Sequence, residues 1–166
     1  MYANNAISSL KHLLEVVKNP ESKTARATVL LGAHLASACS SSVPMALHHK
    51  LCHTLGGSFN LPHAETHTVM LPHSVSYNLP AVGSLLDPVK ELVEGAKDAV
   101  DALNQFSKTL GVKRSLRELG MREEDLDKAA DIACEQEYPN PRQLEKEKVR
   151  EILRRAWAGE DARADL

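Results

Sequence analysis

Apolar residues return at helical spacing along most of the chain, and no run alternates with the period of two that a half-buried strand requires. Leu10, Leu13, Leu14 and Val17 form an i, i+3, i+4, i+7 stripe, predicted to be buried, that Asn19-Pro20 ends. A second helix is expected from about Ser22 to about Ser40. Its later part, Val29 to Ala38, is apolar all round and rich in small residues, as in a helix enclosed by a core. Ser40 to Pro44 reads as a connector, with Pro44 opening the next helix and Gly56-Gly57 closing it. Residues 58–62 form a loop, Pro62 opens a fourth helix, and Pro72 kinks it. An amphipathic helix from Asp87 to Leu110 then stops at Gly111, and a short segment covers Arg114 to Leu119. Two further helices, Glu123 to Glu135 and Glu145 to Ala158, flank the turn Tyr138-Pro139-Asn140-Pro141; Val149, Ile152, Leu153 and Ala156 make the buried stripe of the second.

The predicted fold class is therefore all-α, a bundle of about seven or eight helices. Residues 1–158 are expected to form one helical domain and residues 159–166 a frayed tail. A length of 166 residues suits a single core. A net charge of −2 with both signs interspersed leaves no basic footprint for nucleic acid, and the few aromatics offer no base-stacking surface. The uncharged stretch from Ala27 to His49 contains His34, several serines and Pro44, too polar and broken for a membrane span. Lys11, Glu15 and Lys18 interrupt the start of the chain, where a signal peptide would need an apolar run. Three scattered cysteines, Cys39, Cys52 and Cys134, argue against a disulfide framework and for a reducing compartment, hence a soluble, cytoplasmic protein.

The chemistry concentrates in one place. Six of the eight histidines lie within 26 residues: His48, His49, His53, His63, His67 and His73. His49 and His53 are four apart, as are His63 and His67, so each pair projects from one helical face. Imidazoles gathered this way suit metal ligation or proton transfer near neutral pH. His53 and Cys52 could substitute as metal ligands, but Cys52 neighbours His53 on the helix, points away from it and is expected to pack in the core. His73 after Pro72 is expected to cap or hydrogen-bond inside the core, and His12 and His34 to be structural or surface groups. Glu65 either orients an imidazole or sits exposed where the helix dipole favours a carboxylate.

From Leu47 to Asn78 the string LHHKLCHTLGGSFNLPHAETHTVMLPHSVSYN resembles the C-terminal domain of the iron-containing alcohol dehydrogenase superfamily. The shared features are His49-x-x-x-His53, Gly56-Gly57, Pro62-His63, Pro72-His73 and Asn78 at fixed spacings. The HHKLCH and PHAETH variants, Leu116 to Gly120 and Asn140-Pro141-Arg142 are similar to the maleylacetate reductase branch. The resemblance implies that His49 and His63 bind a divalent metal, iron or zinc. It implies that His53 lies beside the nicotinamide and the reacting carbon, and that His67 and His48 line the same cleft, positively polarised towards a small dicarboxylate. The implied activity is that of an oxidoreductase, NAD(P)H-dependent reduction of a carbon–carbon double bond in aromatic catabolism.

Members of that superfamily begin with an α/β domain that holds the dinucleotide. They draw an Asp or Asn and another His for the metal from an early helix of the second domain. This sequence has no glycine-rich phosphate turn after a strand, and no Asp-x-x-x-His or Asn-x-x-x-His where the family needs one. The expectation is a detached helical domain, inactive alone, that is a truncated product or works with a separate nucleotide-binding chain. Its docking face should be exposed, apolar and His-rich, which favours a homo-oligomer. The alternatives are a non-catalytic metal-binding or interaction domain, and a complete hydrolytic enzyme.

Overall fold

The computed structural model describes residues 1–166, and all its regular structure is helical. The helices are α1 (Tyr2–Leu10), α2 (Leu13–Lys18), α3 (Lys23–Ser40), α4 (Leu47–Phe59), α5 (His63–Val82), α6 (Asp87–Lys90), α7 (Ala99–Leu110), α8 (Leu126–Cys134) and α9 (Lys146–Ala158). Short 3₁₀ turns occur at Gly83–Leu86 and Glu123–Asp125. The all-α expectation holds. The chain divides into two compact units, Met1–Pro44 with Leu85–Gly111 and Met45–Ser84 with Val112–Leu166, where one domain was expected.

In the first unit, α1 and α2 pack on α3, and α6 and α7 complete the group. The predicted first stripe is cut at Lys11-His12, where the backbone closes tighter turns: Lys11 N–H donates to the Ser8 carbonyl and His12 N–H to that of Ser9. No residue of the six-residue α2 is buried, and Val17 is 58% exposed. Ser22 caps α3 as its sequence suggests, its hydroxyl accepting the Ala25 N–H. The expectation that α3 is enclosed on all sides fails. Only Ala25 and Gly32 are buried, and Leu30 and Leu31 are 68% and 56% exposed, because this unit covers α3 on one side alone. The single helix predicted from Asp87 to Leu110 is two helices. Gly95 takes φ +78 between them, and Asp98 starts α7 by accepting the Asp101 N–H at 2.8 Å, while Asp101 accepts the Lys97 N–H at 2.9 Å. A local cap outcompetes a continuous ladder there.

In the second unit α4 and α5 pack on each other, α8 on α4, and α9 on both α5 and α8. Leu47, Leu51 and Leu55 recur every four residues and place one face of α4 in the core with Met70, Tyr77, Ile152 and Leu153. The histidine face is left on the other side. Gly56-Gly57 does not end α4, which runs on to Phe59. Asn60 ends it instead, in the left-handed conformation (φ 54, ψ 34), with its own N–H and that of Leu61 closing on the Leu55 carbonyl. Pro62 is the N-cap of α5, and Pro72 and Pro80 both lie inside that helix. Leu116–Gly120 is a turn rather than a helix, fixed by Leu116 N–H to the Ala156 carbonyl and by the Ser115 hydroxyl to the Trp157 carbonyl. The segment expected to fray does not: Ala162 is 4% exposed, Asp165 pairs with Arg155, and the Leu166 carbonyl accepts from Arg142.

Candidate active site

Two antiparallel helices with an i, i+4 histidine pair on each generate a four-cornered ring. Going up α4 and back along α5, the ring centroids of His49 and His53 are 6.3 Å apart, His53 and His63 5.9 Å, His63 and His67 4.4 Å, and His67 and His49 5.3 Å. The rise of about 6 Å over four helical residues explains the first spacing. His48 completes the cluster from the edge, 4.9 Å from the His67 ring and 5.6 Å from that of His49. His48, His49 and His67 are half-buried, while His53 and His63 are exposed. Next to the exposed pair, Gly56, Gly57 and Leu61 line an open hollow of about 340 Å³. His63 packs beside Gly56, where a Cβ would lie 3.6 Å from Nδ1, an ordinary contact.

Crowding sets the charge state. Burial first, then the neighbouring imidazoles of His48, His63, His49 and His53, bring His67 down to about 4. His48 is also lowered, by burial and by His49, against the opposing bond between its Nε2 and the His67 carbonyl at 3.1 Å. Both are held towards the neutral form at pH 7. Burial pushes the Cys52 thiol up to about 12, which makes it no nucleophile.

A second network holds the histidine helices in place. The Leu47 N–H, one of the orphan donors at the start of α4, donates to Asn140 Oδ1 at 3.3 Å. Asn140 and Asn78 exchange amide hydrogen bonds at 2.8 and 3.2 Å, so one residue ties the first turn of α4 to α5. Arg142 lies over the Tyr77 ring and donates to the Tyr77 carbonyl at 2.9 Å, and the Tyr77 hydroxyl donates to the Gln143 carbonyl and accepts the Glu145 N–H. Sequence patterning marked Asn78 and Asn140-Pro141-Arg142 without showing what they do. They brace the site.

The structure brings five of the six clustered histidines together and leaves one out. His73 is 2% exposed inside the unit, and its Nδ1 has no hydrogen-bond partner. His49 and His63 stand at opposite corners of the ring, each packed against both His53 and His67. Cys52 was weighed as a substitute ligand and expected to pack. It is fully buried, yet it, His48 and His67 each bring a ligand atom within 4.8 Å of the others. The overlooked signal is that His48 and Cys52 are themselves an i, i+4 pair. Glu65 is exposed in the first turn of α5. No helix is long and apolar enough to cross a membrane.

The model of the Fe-containing alcohol dehydrogenase family, C-terminal, matches residues 1–157. The maleylacetate reductase of Pseudomonas sp. (strain P51) is 43% identical over 159 residues, covering 95% of this chain and 45% of that protein. The crystal structure of maleylacetate reductase from Rhizobium sp. strain MTP-10005 superposes with a TM-score of 0.91 at 42% identity, over 97% of this chain and 46% of the other. That from Agrobacterium tumefaciens gives 0.92 at 42% identity with the same coverage. A 1,3-propanediol oxidoreductase structure keeps the fold at 27% identity, with a TM-score of 0.83 over 94% of this chain and 44% of that one. The chain thus spans about half the length of the curated relatives it matches.

Proposed function

Because this chain belongs to the Fe-containing alcohol dehydrogenase family, as its C-terminal domain, we propose that it is the histidine-bearing half of an NAD(P)H-dependent maleylacetate reductase. The observation that carries this reading is the closed ring of His49, His53, His63 and His67, four imidazoles from two helices around one opening. The diagonal pair, His49 and His63, is the pair that the family resemblance assigns to a divalent metal; one ring is half-buried and the other exposed. Two imidazoles are one short of the usual three protein ligands, and the remainder is assigned to polypeptide outside these residues. Iron or zinc bound there supplies a Lewis acid for a substrate oxygen, and the dinucleotide supplies the hydride.

The chain's own residues then have separate tasks. His53, exposed between His49 and His63 and bordering the hollow, would lie beside the nicotinamide of a bound dinucleotide and supply the proton that completes the reduction. With a dinucleotide supplying hydride to one carbon of the double bond, this proton would go to the other, so that maleylacetate, NAD(P)H and one proton would give 3-oxoadipate and NAD(P)⁺. His67 and His48, neutral at pH 7, line the same cleft without adding positive charge to it. Dinucleotide binding is assigned outside these 166 residues, consistent with an all-helical chain that covers 45% of its Pseudomonas relative.

The test is NADH oxidation in the presence of maleylacetate, followed by absorbance. The chain alone is expected to be silent, and a fusion to the N-terminal part of the Pseudomonas sp. (strain P51) enzyme to turn over. Turnover by the chain alone would refute the division of labour, and a folded but inert fusion would refute the substrate assignment.

A further inference from the structure

We propose that His48, Cys52 and His67 form a zinc site of their own, separate from the His49 and His63 pair. One ligand atom from each of the three lies within 4.8 Å of the others. The arrangement follows from the helices: His48 and Cys52 project one turn apart from α4, and His67 faces them from α5. The inference does not depend on family membership, because it uses only the donor set and its placement.

Three observations point to a cation rather than to packing. His67 Nε2 is buried without a hydrogen-bond partner, an arrangement that costs free energy unless something supplies the missing contact. His48 Nε2 lies 3.1 Å from the His67 carbonyl. Donation of that N–H fixes the tautomer and leaves Nδ1 with a free electron pair, the pattern seen when a ligating imidazole is oriented by a backbone carbonyl. Cys52 adds a soft sulfur donor that is wholly shielded from solvent. Two imidazole nitrogens and a thiolate select zinc over magnesium or calcium, with a water or other small ligand in the open fourth position.

The geometry needs a modest adjustment. With Zn–S at about 2.3 Å and Zn–N at about 2.0 Å, tetrahedral ligands lie about 3.5 Å apart. The three atoms must therefore close by about 1 Å, which rotation of the His48 and His67 side chains supplies. The chemistry balances simply: Zn²⁺ replaces the Cys52 thiol proton, which leaves to solvent, and no electron is transferred.

The chain is stripped with a chelator, then titrated with Co²⁺ and with Zn²⁺. The expected result is uptake of one equivalent of Co²⁺ with a sulfur-to-cobalt charge-transfer band. Cys52→Ser should abolish the band and weaken binding at least tenfold, while the double variant His49→Ala/His63→Ala should keep it. X-ray absorption on the unmodified protein with one equivalent of Zn²⁺ should show one sulfur at about 2.3 Å, which decides the matter even if Cys52→Ser does not fold. A shell of nitrogen and oxygen only, no uptake, a band that survives Cys52→Ser, or one lost in the His49→Ala/His63→Ala variant would overturn the proposal.

Discussion

Lowering the pH from 7.5 to 4 should destabilise the second unit through His73. Its imidazole is 2% exposed, and burial, followed by the positive charges of Arg155 and Arg114, brings it from 6.5 down to about 4 against the opposing pull of Glu160 and Asp161. The unfolded chain takes up the proton near pH 6.5, but the folded chain does so only near 4. Between those values the unfolded state therefore binds more protons, and stability falls as the pH falls. The contribution is complete above 6.5 and gone below about 4. At about 1.4 kcal/mol per pH unit, it amounts to roughly 3 kcal/mol. Urea unfolding of the unmodified protein and of His73→Leu across this range isolates the effect, since carboxylates elsewhere titrate in both. Leucine fills the same buried site and needs no partner for the unpaired Nδ1, so His73→Leu should lose far less stability on acidification. If the stability difference between the two proteins stays flat from pH 7.5 to 4, or changes in the opposite sense, His73 is not held neutral and the reasoning fails.

Other consequences are as concrete. Asn140→Ala removes the acceptor for the Leu47 N–H and the paired amide of Asn78, and should cost about 2 kcal/mol in urea unfolding; a loss below about 0.5 kcal/mol would deny it a bracing role. Gly57→Ala meets nothing within 4 Å in the last turns of α4 and should stabilise by about 0.5–1 kcal/mol. Gly32→Ala would set a Cβ 2.5 Å from that of Ser9 and should destabilise by about 1–2 kcal/mol, so equal thermal shifts for the two alanines would contradict the packing described. The exposed Leu30 and Leu31 on α3 should drive self-association, reduced by Leu30→Gln with Leu31→Gln; light scattering showing a monomer before substitution would remove that explanation.

Much of the molecule was legible where one physical signal acted alone. Ser22 and Gly111 mark helix ends because a hydroxyl cap or a left-handed glycine satisfies them locally. The histidine pairs were legible because helical periodicity and residue type both pointed to one face. Misreadings arose where two signals competed. Gly56-Gly57 looked like a helix end, yet the left-handed Asn60 closes the helix three residues later. Asp98 and Asp101 split one amphipathic pattern by capping each other's neighbourhood. The apolar run of α3 spoke for burial but not for which surface would do the burying. What Asn140 does was not legible because it lies in contacts across helices, to Leu47 and Asn78, that no local pattern encodes.

The most direct measurement is the turnover of maleylacetate by the fused protein with and without His53→Ala. Loss of at least a hundredfold in kcat, with helical circular dichroism and unfolding midpoint unchanged, is the expected result for an imidazole that serves the reacting carbon. A His53→Ala fusion that turns over as fast as its parent would show that this ring of imidazoles does not perform the chemistry.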